Sequence, residues 1–309
     1  YRYDSSTLLR IVNPWQGADS VSQWVFLSRD DEKPPKGFAG ETIDVPVRRI
    51  VCMSSSYVAF LEALGADSTI CAISGTGYIW SDKVRNRIAG GEIAEAGFDN
   101  SLNFEKLVAL KPDVVFLYGL TGKNAVTDKL HELGLKTVYI GDYVENNPLG
   151  RAEWITVFGE FTGRRELART LFDSISNEYN RAKALVSGVE KRPEVMLNAP
   201  WQDSWFVPGD RSYMVRLLED AGGNYACRGV DSDQSRPIST ETAFVAASQS
   251  DFWLSPGTAT SLAELNAMNP RFGSIPPVRN GNVYNNNART TPEGGSDFWE
   301  SGSAYPDRT

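Results

Sequence analysis

The chain is poor in the residues from which most metal sites and many catalytic sites are built. Its 309 residues include one histidine, His131, so an imidazole-rich zinc or manganese site cannot be assembled. A Ser-His-Asp arrangement would need that same residue, and the serine run Ser54-Ser55-Ser56 lies in a different segment. His131 sits in Asp128-Lys129-Leu130-His131-Glu132-Leu133-Gly134, the end of an amphipathic helix, where a surface or helix-terminal place is expected. The three cysteines, Cys52, Cys71 and Cys227, are widely spaced with no CxxC pair. Buried free thiols are the expectation, one disulfide stays open, and a four-thiolate iron–sulfur cluster is excluded. No apolar run reaches the roughly 20 residues that span a bilayer. Positive charge is also scarce: 31 Lys and Arg against 39 Asp and Glu leave a net charge of -8. The cations are scattered, so nucleic acid is not an expected partner. There is no GxGxxG and no P-loop to cradle phosphates. The chain begins at Tyr1 without a Met, and a removed targeting segment is left open.

What is present is a motif that occurs twice. Leu102-Asn103-Phe104-Glu105-Lys106-Leu107-Val108-Ala109-Leu110-Lys111-Pro112-Asp113-Val114-Val115-Phe116-Leu117 reads as a helix, a Pro-Asp turn and a buried strand. A looser copy runs from Ile238 to Leu254, with Ser239, Glu241 and Asp251 in the corresponding places. Its spacing from Glu to Asp is two residues longer and it lacks the Pro, so its helix is expected to end differently. A repeat of this size implies two α/β lobes of similar build, which leave a cleft between them.

Residues 1–47 differ from the rest of the chain. Leu8–Val12 and Trp24–Leu27 are strand candidates, and the Pro-rich loop Asp30–Gly37 comes after them, which predicts an N-terminal β-hairpin packed on the first lobe. Residues 48–150 alternate strand and helix: Arg49–Met53, a helix from Tyr57 to Leu64 stopped by Gly65, Ser68–Ile73, the first motif copy, a helix from Val126 to Leu133 and Thr137–Ile140. That alternation predicts a parallel sheet with right-handed crossovers. Residues 151–190 form a long helical stretch interrupted near Gly163, with Leu167, Leu171, Ile175 and Tyr179 on one apolar face. Such a helix would hold the lobes at a nearly fixed separation, so binding would close them only modestly. Residues 191–309 make the second lobe, through strand Glu194–Leu197, a helix from Met214 to Ala221, the second motif copy, a helix near Leu262–Met268 and strand Asn282–Tyr284. No covering helix is visible after Phe298-Trp299.

These features resemble the substrate-binding proteins of ABC importers for iron–siderophore complexes and cobalamin, the class III type with two lobes joined by a long helix. The resemblance covers roughly residues 46–300 and is carried best by the stretch Asn103–Val115, with Arg48-Arg49-Ile50-Val51 and Phe161-Thr162-Gly163 in agreement. It implies an α/β fold of two Rossmann-like lobes with mainly parallel sheets, joined by a long connecting helix, here with an N-terminal β-hairpin extension. It implies no enzymatic activity, no covalent cofactor, a monomer, and a periplasmic place on the Gram-negative inner membrane, tethered there if a lipid-bearing Cys has been removed. In the family a glutamate on each lobe pairs with arginines of the permease, and by motif position these are Glu105 and Glu241. For either residue alone, favourable interaction with the helix dipole would explain a first-turn glutamate, at about 0.3–1 kcal/mol. Their matched positions in two lobes point to docking.

The ligand is expected in the inter-lobe cleft, on loops at the carboxyl ends of the strands. Those loops carry Ser55, Tyr57, Tyr78, Trp80, Tyr118, Tyr143, Trp201 and Trp205. Aromatic walls grip a corrin or an aromatic chelate in the family, and Tyr78 and Tyr118 fall where the cobalamin binders place cleft aromatics; packing beneath their own loops is the competing explanation. Trp154, Trp253 and Trp299 are assigned to packing. Arg85, Arg211, Arg236 and Arg289 are the cationic candidates for an anionic ferric siderophore. Arg289 is favoured because it comes directly after the last predicted strand, against the alternative of a solvated loop residue. A ferric siderophore or related iron chelate ranks first, cobalamin second and haem third. The rival classes are a two-carboxylate glycosidase, which composition does not exclude, and a sensor or capture protein on the same fold that meets no permease.

Overall fold

Four apolar runs in the first half of the chain are buried along their whole length, as expected of parallel strands covered on both faces. The computed structural model describes residues 1–98, 101–119, 125–201 and 204–308, leaving out the side chain of Trp201. Two units emerge. The first comprises Tyr1–Val144, Arg151–Ile175 and Thr290–Thr309, the second Glu145–Gly150 and Ser176–Arg289.

In the first unit β1 (Thr7–Val12) and β2 (Ser22–Ser28) form the expected antiparallel hairpin. A third strand, β3 (Glu41–Asp44), adds to it in parallel to β2. Sequence reading missed β3 because four residues beyond a Pro-rich loop carry almost no periodic signal. The chain continues through β4 (Ile50–Cys52), α1 (Ser55–Ala63), β5 (Ile70–Ile73), α2 (Asp82–Ala89), β6 (Ala94–Glu95), α3 (Phe104–Leu110), β7 (Val114–Leu117), α4 (Ala125–Glu132) and β8 (Thr137–Tyr139). The five strands β6-β5-β4-β7-β8 pair in that order, all in parallel. The polar helix α2, with Val84 as its buried residue, was also missed. Gly163, at φ 70, separates α5 (Pro148–Thr162) from α6 (Arg165–Leu185), as the sequence predicts. On α6 the inner face runs through Ala168, Ile175 and Tyr179, whereas Leu167 is exposed.

The second unit contains β9 (Glu194–Leu197), β10 (Pro200–Trp201), β11 (Ser204–Val207), α7 (Tyr213–Asp220), β12 (Asn224–Tyr225), β13 (Arg236–Ser239), α8 (Thr240–Ser248), β14 (Phe252–Leu254), α9 (Leu262–Met268), α10 (Pro276–Asn280) and β15 (Val283–Tyr284). Its parallel sheet has the order β12-β9-β14-β15. This is the topology of β5-β4-β7-β8, so the internal repeat extends beyond the motif. A small antiparallel sheet, β10-β11-β13, is particular to this unit.

The repeated Asp has a physical reason. Asp113 Oδ2 accepts the Arg48 and Arg49 amides at 2.6 and 2.9 Å, just before β4 begins, and the Asp113 amide donates to Arg49 O. Asp251 Oδ2 likewise accepts the Glu194 amide at 2.9 Å, and its own amide donates to Glu194 O. Each Asp therefore joins the amino ends of two neighbouring strands. The helices before them end differently, as expected: Lys111 closes α3 in a left-handed conformation, and Gln249 closes α8 in a right-handed one.

The last segment departs from the sequence reading, which assigned residues 191–309 to the second lobe and saw no final helix. Thr290–Thr309 belongs with the first unit, and Glu145–Gly150 with the second. A short helix, α11 (Asp297–Ser301), packs along α1, and Ala304 is fully buried in the first core. All three cysteines are buried free thiols.

The first core centres on Phe158, whose ring lies 5.0 Å from Phe60 and 5.2 Å from Phe116. The second is built on Trp205, Trp253 and Phe272. Phe158→Ala removes the shared partner of several rings and is expected to destabilise the protein by about 3–5 kcal/mol. A urea midpoint shifted down with the slope unchanged is the result that checks it.

Candidate functional site

Loops at the carboxyl ends of parallel strands are where α/β sheets present ligands. In the first unit the loop after β5 is held tightly. Glu95 accepts the Gly75 amide at 2.9 Å, the Thr76 amide and hydroxyl at 2.7 Å each, and the Gly97 amide at 2.9 Å. Burial works against its charge, but these bonds outweigh that effect and keep the carboxyl below its ordinary range. Gly75 takes φ 72, and a Cβ there would press on the Tyr78 ring at 2.8 Å, so glycine is required. The loop thereby presents Tyr78, 44% exposed, edge-on to Phe98, 49% exposed. Phe98 was not among the expected residues; it lies in a short turn beyond β6 with no periodic pattern to mark it. Trp80 is half-buried, and Arg85 on α2 lies 5.7 Å over its ring while pairing with Asp82.

At the ends of β7 and β8 the rings of Tyr118 and Tyr143 lie 4.3 Å apart. The Tyr143 hydroxyl donates to Gly119 O and accepts the Gln16 amide, so it is fixed by its own loops. Burial, with Tyr143 and Asp142 beside it, pushes the Tyr118 phenol up to about 12. Asp142 is buried next to them, and its Oδ1 has no hydrogen-bond partner among the described residues. Burial raises its carboxyl to about 6, opposed by the Ser56 hydroxyl and the charge of Arg151.

Two expected ligand residues prove to be core. Tyr57 is completely buried on the inner face of α1, and its hydroxyl donates to Leu117 O and Ile140 O at 3.1 Å. Trp205 is equally buried and donates from Nε1 to Leu197 O. Both sit beside rim loops in sequence, but the faces of α1 and β11 turn them inward. Ser55 opens α1 half-buried, behind the Ser54 cap. The Trp201 side chain lies outside the described residues. Of the tryptophans assigned to packing, Trp253 is fully buried and Trp154 half-buried, whereas Trp299 is 50% exposed.

In the second unit Arg236 opens β13 opposite Val207, close to Tyr225 and Cys227 at the carboxyl end of β12. Its guanidinium is half-buried, its Nε is shielded from solvent, and it makes no hydrogen bond or ion pair to a described residue. Arg211 pairs with Asp231. Arg289 is exposed beyond β15, in a loop fixed by Asn285 and Asn287, whose amides donate to Ala259 O at 3.0 and 3.1 Å.

Glu105 and Glu241 occupy equivalent places. Each lies two residues after its N-cap, Asn103 or Ser239, in the first turn of α3 or α8. Glu105 is exposed with no ion pair to a described residue. Glu241 is exposed with Arg271 at 4.0 Å, a loose contact, since Arg271 also lies over the Phe244 ring. His131 takes the helix-end place expected of it, 2.7 Å from Thr137 Oγ1 and 3.3 Å from Glu41.

Residues 50–290 match the sequence model of a family described as periplasmic binding protein. An uncharacterized lipoprotein of Methanocaldococcus jannaschii is 28% identical over 297 residues, covering 89% of this chain and 71% of its own. The crystal structure of a possible iron-binding, periplasmic solute-binding protein from Staphylococcus epidermidis superimposes with a TM-score of 0.65 at 19% identity, over 85% of this chain and 95% of that one. A periplasmic heme-binding protein of Vibrio cholerae also gives 0.65, at 17% identity, over 84% and 97%. At such identities the solved structures establish the fold.

Asp142 generates a pH prediction. Its folded value of about 6 lies above the ordinary 3.8, so its contribution to stability is full below about 3.8 and is lost as the pH rises through about 6. Asp142→Asn removes this dependence. Between about pH 4 and 7 the wild type should lose roughly 1–3 kcal/mol relative to the variant. Paired urea titrations across that range check it, and parallel curves would count against it.

Proposed function

The chain belongs to the family of periplasmic binding proteins, and we propose that it captures a ferric siderophore or related anionic iron chelate and delivers it to the permease of an ABC importer. Arg236 carries this reading. A half-buried arginine whose shielded Nε has no acceptor among the described residues is costly to maintain unless something supplies one. Carboxylate or catecholate oxygens of a chelate would pair with it bidentately. On the first unit Tyr78 and Phe98 offer exposed aromatic faces suited to a flat organic ligand. The ligand is carried without being changed. The Staphylococcus epidermidis structure, described as possibly iron-binding, supports the same class of ligand.

Delivery rests on Glu105 and Glu241, which occupy matched first turns and are held by little else. They suit a pair of permease arginines. The protein works outside the cytoplasmic membrane. A lipid tether there is supported by the relative described as a lipoprotein.

Purified protein titrated with ferric citrate, a ferric catecholate, cobalamin and haem, with tryptophan fluorescence as the readout, tests the ligand. A ferric chelate should bind at micromolar or tighter concentration, and Arg236→Ala should weaken it by about 10–100-fold, the loss of one charged hydrogen-bonding partner. Binding of cobalamin alone, or of haem alone, overturns the iron reading. For delivery, the double variant Glu105→Lys, Glu241→Lys should abolish uptake in cells while leaving chelate affinity intact. Unchanged uptake would remove the docking role.

A further inference from the structure

The loop that presents Tyr78 and Trp80 is gripped from two sides. Glu95 holds its start, and the carboxylate that holds its end comes from the far end of the chain. Glu300, only 3% exposed, accepts the Trp80 amide at Oε2, 2.6 Å away, and the Ser81 amide at Oε1, 3.0 Å away. Ser81 in turn caps α2 through its hydroxyl. Ahead of Glu300 the chain makes a tight turn in which the Thr291 amide donates to Gly295 O and the Gly295 amide donates to the Thr291 hydroxyl. This turn lies directly on the loop: a Cβ added at Gly295 would collide with the Tyr78 carbonyl, and one at Gly77 would meet the Glu293 side chain at 3.0 Å. Behind Glu300, α11 packs on α1 and Ala304 is buried, which anchors the segment.

We propose that Thr290–Tyr305 is a strap that sets the position of the Tyr78–Trp80 loop, with Glu300 as its positioning residue; this rests on the proposed function, in which the loop meets the ligand. Two N–H groups and one carboxylate fix the loop's end, and without Glu300 both donors would lose their acceptor. The segment enters the first unit at Thr290, one residue after Arg289.

The grip also depends on pH. Burial pushes the Glu300 carboxyl up to about 7, opposed by the Trp80 and Ser81 amides and reinforced by Glu62 on α1 and Asp297 on α11. Asp82 and Lys83 of α2, with Tyr305, line the same groove. A lifted strap would return Glu300 to water and to its ordinary 4.5, so the docked strap holds the proton better. Docking is strongest in acid and weakens as the pH rises through about 7.

Amide hydrogen exchange on the full chain tests this, read at Trp80 and Ser81 and corrected for intrinsic rates. In the wild type, protection of these amides should fall by about tenfold or more between about pH 5 and pH 8, while Glu300→Gln stays level. At about pH 7, Glu300→Ala should raise the exchange of both amides by about tenfold or more, and Glu300→Gln, which keeps one acceptor oxygen, should restore protection at one of the two. Gly295→Ala should loosen the same amides from the other side, and it serves if Glu300→Ala does not fold. Unchanged exchange in these variants, or a level wild-type profile, overturns the strap. Affinity for a ferric catecholate should fall about tenfold in Glu300→Ala and by less in Glu300→Gln. If the wild type binds no chelate, the ligand reading fails while the exchange data still decide the strap. If the loop loosens but affinity holds, the loop does not position the ligand.

Discussion

A backbone N–H withdrawn from water at the end of a strand must find an acceptor, and this protein meets that requirement repeatedly with a carboxylate. Asp113 and Asp251 do it at the amino ends of the parallel strands, in the same place in both lobes. Glu95 and Glu300 do it at the other end, where the loop after β5 leaves the sheet. The first pair holds the strands in register. The second pair holds a loop that carries exposed aromatic rings. One chemical device thus serves architecture at one edge of the first sheet and presentation of side chains at the other.

The carboxylates differ in how well they are served. Glu95 receives four donors and remains readily ionised, whereas Glu300 receives two and lies beside Glu62 and Asp297. Asp142 has one oxygen with no partner at all among the described residues. A buried carboxylate with few donors costs stability when charged, and such groups are kept where they serve a purpose other than stability. Asp142 and Glu300 both lie next to rim loops. In the second unit a cation is underserved in the same way: Arg236 Nε has no partner among the described residues.

Much of the architecture was legible in the sequence because the signals were local. The Asn103 and Ser239 caps, the Gly163 break and the Lys-Pro-Asp turn each act within a few residues. The helix α9 was found at its observed bounds, and Glu105 and Glu241 proved exposed as their cap spacing implied. Short elements failed. The four residues of β3 and the polar α2 have too little periodicity to stand out. Among aromatics the choice between rim and core could not be read either. Tyr57 and Trp205 come after turn residues, but their burial depends on a rotation of helix or strand of one residue.

The sequence by itself determined the repeated strand–helix–strand order, the family, the two matched glutamates and the exclusion of an imidazole-rich metal site. Residue type and spacing alone decide these. Only the tertiary structure decided that the last twenty residues return to the first lobe, that Glu300 grips Trp80 from 220 positions away, and that Arg236 Nε has no acceptor among the described residues. Such contacts join residues whose separation along the chain carries no information about their distance in space. Whether a polar group is satisfied is a property of every element packed around it, and no local pattern records that.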